Sequence, residues 1–300
     1  MPVEKDENGQ RRVQAEVDVP GTPEEVWQAI ATGEGISSWF VPTRSDERTG
    51  GEVVNSFGPG MDSVARITHW DPPTSYTATA QEATEAEAQD GPGSIATEWI
   101  VEARDDSTCV VRVVHRWFAD SDEWDGEFEG HAYGWASSYF RMLRLYLEHF
   151  AGQTCSAFDL AAFSKSTPPQ TWATLAEAFS IDESSLRVES APGAPKLSGV
   201  QQSTEITDPA LLRVRETSPL IKATLEGMDG TEPELLLRLE RPAPGFAHLF
   251  IMPMGEQTMV SLRVFLFGDE GTEIASDLES TWNHWLTTRF PPEELPHETP

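Results

Sequence analysis

Trp135, Tyr139, Met142 and Tyr146 recur at spacings of four, three and four residues, which puts them on one face of a helix. A Trp, two Tyr and a Met make an unusual dense core. Buried Tyr hydroxyls need a hydrogen-bond partner, and the flexible Met thioether suits irregular surroundings. Such a face suits the wall of a cavity that receives a small apolar or aromatic molecule. Trp39, Phe57, Trp99 and Trp117 are the candidates for the opposing walls.

His69, His115 and His131 are the side chains nearest to acid–base chemistry. His115 falls in a strand pattern near Trp117, and His131 opens the helix that carries Trp135. A general acid–base pair requires one of them to meet Glu98 or Glu102 inside the cavity. A structural or exposed role is the commoner fate of an isolated histidine.

Other chemistries find no pattern. The run Asp120-Ser121-Asp122-Glu123-Trp124-Asp125-Gly126-Glu127 has the composition of a calcium loop but not its spacing, because Ala132 stands where a bidentate acid is required if Ser121 opens the loop. It reads as a solvated acidic loop. Cys109 and Cys155 make neither a CxxC pair nor a disulfide framework. Phosphate-binding, nucleophile-elbow and zinc-protease motifs do not occur. No metal and no cofactor is expected.

The elements that position these residues are written twice. Thr22-Pro23-x-x-x-Trp27 returns as Thr167-Pro168-x-x-x-Trp172, and each copy is preceded by apolar alternation (Val13, Ala15, Val17; Phe158, Leu160, Ala162). Alternation predicts a half-buried strand, and the amphipathic run after each copy predicts a helix. In the first half five strands follow between Glu52 and Phe118, then a long helix over about 131–150. In the second, strands are expected near 197–206, 210–217, 220–227, 234–240, 246–252 and 258–267, with a final helix near 272–289. Ile274, Leu278, Trp282, Trp285 and Leu286 cover one side of that last helix only, whereas the 131–150 helix is apolar around most of its girth. The expected domains are therefore 12–151 and 155–290, with flexible polar tails at 1–11 and 291–300.

Several segments together resemble a known superfamily: Thr22-Pro23-Glu24-Glu25-Val26-Trp27, Trp39-Phe40, Thr49-Gly50-Gly51-Glu52, Ile67-Thr68-His69-Trp70-Asp71-Pro72-Pro73 and Glu129-Gly130-His131-x-x-Gly134-Trp135. They are similar to the START-like (SRPBCC) superfamily, and within it to the branch homologous to the C-terminal domain of the activator of Hsp90 ATPase. The resemblance implies an α+β helix-grip fold, a curved antiparallel sheet wrapped around a long C-terminal helix. The internal repeat makes it a tandem duplication, the second copy degenerate. Members bind lipids, hormones or polyketides, and a minority catalyse cyclisation or hydration.

With 50 acidic against 21 basic residues and a formal net charge of −29, the chain repels phosphate backbones and anionic membranes. Nucleic-acid and membrane partners are therefore not expected. The N-terminus carries no signal-peptide pattern, which with the two isolated cysteines suggests the cytoplasm. The leading expectation is non-catalytic binding of a small apolar or aromatic ligand in the first domain. A cyclase or hydratase acting in the same cavity is one alternative. A protein partner, in the manner of a co-chaperone regulating an ATPase, is the other.

Overall fold

The computed structural model describes residues 3–5, 10–58, 60–80, 95–105, 107–118, 125–178, 202–204, 222–227 and 234–291. The chain divides into two compact units, Met1–Gly152 and Gln153–Pro300. The strand expected at 210–217, most of that at 197–206 and the tail beyond 291 lie outside the described residues.

In the first unit, β1 (Glu4–Lys5) pairs with β2 (Gln10–Pro20), so the N-terminal segment expected to be loose supplies a short edge strand. Helices α1 (Pro23–Ala31) and α2 (Gly33–Ser37) follow, then β3 (Thr43–Ser45), β4 (Glu52–Ser56), β5 (Asp62–Asp71), β6 (Ser75–Ala80), β7 (Ala96–Ala103) and β8 (Thr108–Phe118). The sheet order is β1-β2-β8-β7-β6-β5-β4-β3. The first long strand thus lies beside the last, and the meander runs back from there.

The second unit repeats this plan. β9 (Cys155–Ser164) and α5 (Pro168–Ala178) precede β10 (Gln202–Thr204), β11 (Lys222–Gly227), β12 (Glu234–Arg241), β13 (Gly245–Met254) and β14 (Gln257–Phe267). The order β10-β11-β12-β13-β14-β9 again sets the first strand against the last. Helix α6 (Gly268–Arg289) closes the unit and packs on β9 and β14. The fold is α+β helix-grip, present in tandem.

The repeated Thr-Pro motif works as a helix start in both copies. The Thr22 hydroxyl accepts from the Glu25 amide at 3.3 Å, and the Glu25 carboxylate accepts from the Thr22 amide at 2.9 Å. This reciprocal cap satisfies amides that the first turn leaves without partners. In the second copy Gln170 takes the place of the acid, accepting from the Thr167 amide at 3.2 Å. Both motif tryptophans turn inward: Trp27 packs against Trp70 and Tyr76, and Trp172 joins the second core.

The long helix of the first unit differs from an ideal wheel. It comprises α3 (Asp125–Gly134), a π-helical turn (Trp135–Tyr139) and α4 (Phe140–His149). It therefore starts six residues earlier than expected, inside the acidic run. A π-turn bonds i to i+5, one residue more than an α-turn, and shifts every face that follows it. Arg11, 1% exposed on the inner side of β2, ties the start of α3 to the sheet through Asp125 at 2.9 Å.

Candidate functional site

Strand alternation and register decide which side chains look toward the helix. Across the first sheet Ala15, Val113, Trp99, Tyr76 and Trp70 stand opposite one another in one row. The next row is Val13, His115, Thr97, Ala78 and Ile67. Both lie on the face that carries the buried residues Val13, Ala15, Val113 and Trp99. One row is aromatic; the other has a polar centre.

The π-turn lowers Trp135 onto the junction of these rows. Its ring centroid is 5.1 Å from Trp99, 5.2 Å from Phe40, 5.0 Å from Tyr139 and 5.8 Å from Phe140. Tyr139 also meets Phe40 at 4.9 Å, and Phe40 meets Phe57 at 5.8 Å. Trp135 and Tyr139 are half-buried, and Phe57 is 40% exposed, so this aromatic group reaches solvent.

Its polar edge is built from three side chains. Trp135 Nε1 donates to His115 Nε2 at 3.1 Å, and His115 Nδ1 lies 3.0 Å from Thr97 Oγ1. Indole N–H can only donate, so Nε2 must be the lone-pair nitrogen of a neutral imidazole. The ring proton then sits on Nδ1 and is given to Thr97. A second proton on His115 would displace Trp135.

The eight residues expected to line the site divide into three groups. Trp135, Tyr139 and Phe57 come together on Phe40, and Trp99 joins them through Trp135. Met142 and Tyr146 are buried beyond the π-turn, on α4, and Trp39 is buried against Phe40, ring centroids 5.6 Å apart, with Nε1 donating to the Ala29 carbonyl at 2.9 Å. Trp117 stacks on Phe128 at 3.8 Å in a separate cluster with Val13 and Ala132. Phe40 and Thr97 were not among the residues expected to line the site, although Phe40 belongs to the Trp39-Phe40 segment that carries part of the superfamily resemblance.

The acid–base pairing considered for His115 does not form. Glu98 and Glu102 have opposite parity to Thr97 and Trp99 and so lie on the other face of β7. There Glu98 pairs with Arg116 at 2.6 Å and Glu102 with Arg112 at 3.2 Å. His69 is exposed on β5, and His131 falls in α3. Among the described residues no three His, Cys, Asp or Glu side chains gather in a way that could hold a metal ion.

Two buried groups of the first unit have altered acidity. Tyr76 donates to the Ile30 carbonyl at 3.0 Å, and burial pushes its phenol well above the ordinary tyrosine range. Burial likewise raises the Cys109 thiol, whose Sγ lies 3.3 Å from the Gly21 carbonyl. Neither group is primed to act as a base or nucleophile at neutral pH.

Residues 10–144 match the family described as polyketide cyclase / dehydrase and lipid transport. The START-like resemblance of the first unit is borne out by that match. The chain is similar to the di-domain ARO/CYC BexL from the BE-7585A biosynthetic pathway, at 14% identity and TM-score 0.45, over 95% of this chain and 100% of that one. It is also similar to CalU16 from Micromonospora echinospora, at 17% identity and TM-score 0.38, over 49% and 82% of the two chains. The Aha1 dimer from Colwellia psychrerythraea is a further likeness, at 16% identity and TM-score 0.36, over 46% and 96%. No curated protein sequence matches the chain. No helix among the described residues is long and apolar enough to cross a membrane.

Proposed function

We propose that the first unit binds a small apolar or aromatic molecule, non-catalytically, at the Trp135 group. One observation carries this reading: the π-turn holds Trp135 and Tyr139 half-buried against Phe40 and Trp99 instead of sealing them in the core. Aromatic faces left open to solvent are costly to a soluble domain unless something covers them, and an apolar ring is the matching occupant. The family that residues 10–144 match is consistent with this, because its description includes lipid transport. The net charge of −29 favours a neutral or cationic ligand over an anionic one.

Native mass spectrometry of the purified full-length chain tests the proposal. It predicts a co-purifying small molecule, or stoichiometric uptake of one from a panel of neutral polycyclic compounds. A chain that takes up none of them refutes it.

A second reading, a cyclase or hydratase, draws on the inward position of His115. General acid–base chemistry needs a proton donor or acceptor within reach of the bound molecule, and His115 Nε2 is already engaged by Trp135. Enzymatic action requires that bond to open. If a co-purifying compound is converted on incubation by the natural chain but not by His115→Gln, the enzymatic reading replaces the binding one.

A further inference from the structure

The polar edge of the site has a direction. Trp135 donates to His115, and His115 in its fixed tautomer donates to Thr97. Thr97 Oγ1 is therefore already an acceptor, and what it has left to offer is its hydroxyl proton. Among the described residues no acceptor takes that proton. On the other side of Thr97 in the same row stands Ala78, whose methyl can neither accept a hydrogen bond nor shield the hydroxyl.

Each donor in such a chain polarises the next, so the last hydroxyl donates more strongly than a lone threonine. Thr97 is half-buried and lies two residues from Trp99, which touches Trp135. A ring lying against the Trp135 group thus has one directed donor at its edge.

We propose that Thr97, set by the Trp135–His115 pair, is the specificity-determining donor of the site, and that the ligand carries a neutral oxygen acceptor on or beside its ring. This rests on the binding reading given above. His115 is then a positioning residue, since it acts through Thr97. A ligand without the oxygen leaves the donor buried and unpaired, and the site discriminates against it.

Fluorene and 9-fluorenone, nearly identical in shape and differing by one carbonyl, test the assignment by tryptophan-fluorescence titration of the full chain. The natural chain is expected to bind fluorenone about threefold to tenfold more tightly, as one neutral hydrogen bond allows. Thr97→Val should bind the two alike, and Thr97→Ser should keep the preference. The infrared carbonyl stretch of fluorenone bound to the natural chain should move to lower wavenumber, a readout that needs no variant to fold. Equal affinities in the natural chain, an unshifted carbonyl stretch, or a preference that survives in Thr97→Val overturns the inference and leaves the apolar site standing. Binding of neither probe overturns the binding reading, and this inference with it.

Discussion

Trp135 and Phe140 are five residues apart in sequence yet lie on the same side of their helix, ring centroids 5.8 Å from each other and both against Trp99. In an α-helix a five-residue step turns a side chain by about 140°, to nearly the opposite face. The π-turn removes that rotation. It splits the aromatic residues into Phe140, which is fully buried, and Trp135 with Tyr139, which are not.

Phe140→Ala should therefore cost stability, about 3–5 kcal/mol as for other buried aromatic truncations. Tyr139→Ala should cost less, about 1 kcal/mol, and reduce affinity for a neutral aromatic probe instead. Urea denaturation and probe titration of both variants separate the two effects. If Tyr139→Ala destabilises as much as Phe140→Ala, Tyr139 is a core residue and not part of an open site.

The tautomer of His115 is a direct reporter of the Trp135 contact. Long-range proton–nitrogen NMR should find the proton on Nδ1 in the natural chain. Trp135→Phe keeps an aromatic ring but removes the donor, so an appreciable Nε2–H population should appear. An unchanged tautomer in Trp135→Phe would show that the indole does not set it.

Tyr76 gives a pH dependence of known sign. Its folded-state value lies above the unfolded one because burial disfavours the phenolate. The stability this contributes is fully present below the unfolded tyrosine range, near pH 10, and is lost as the pH rises beyond it. Absorbance at 295 nm should show a tyrosine ionisation that occurs only with unfolding, and Tyr76→Phe should remove that step. Titration of every tyrosine before the fold is lost would contradict this.

The second unit supplies a control. Leu262 is buried in its core with Val260, Val264 and Trp282. Leu262→Ala should lower stability by about 2–5 kcal/mol. Probe affinity, measured where the variant remains folded, should change less than twofold. A parallel loss of binding would mean that the site does not belong to the first unit alone.

Much of this arrangement was legible in the sequence because it is local. The Thr22 and Thr167 caps, the alternation of β2 and β9, and the one-sided α6 follow from spacings within a few residues. The site was legible only in part. A wheel drawn at 100° per residue cannot register a π-turn, so Met142 and Tyr146 were grouped with Trp135 although they are buried on α4. Alternation alone places Thr97 and Glu98 on opposite faces of β7, but only the pairing with β8 decides which of those faces is the inner one. Phe40 reaches Trp135 through contacts between residues 95 positions apart, for which no short-range pattern exists. Trp117 is matched instead by Phe128, a partner one element later.

Isothermal titration of the full chain with N-phenyl-1-naphthylamine, a neutral fluorescent aromatic, tests the central claim most directly when set beside the same titration of Trp135→Ala. The account predicts saturable binding at one site per chain in the natural protein. It predicts at least a roughly fivefold loss in Trp135→Ala, in keeping with the roughly 1–3 kcal/mol that one aromatic contact supplies. Binding that is absent from the natural protein, or that is equally tight in Trp135→Ala, would contradict it.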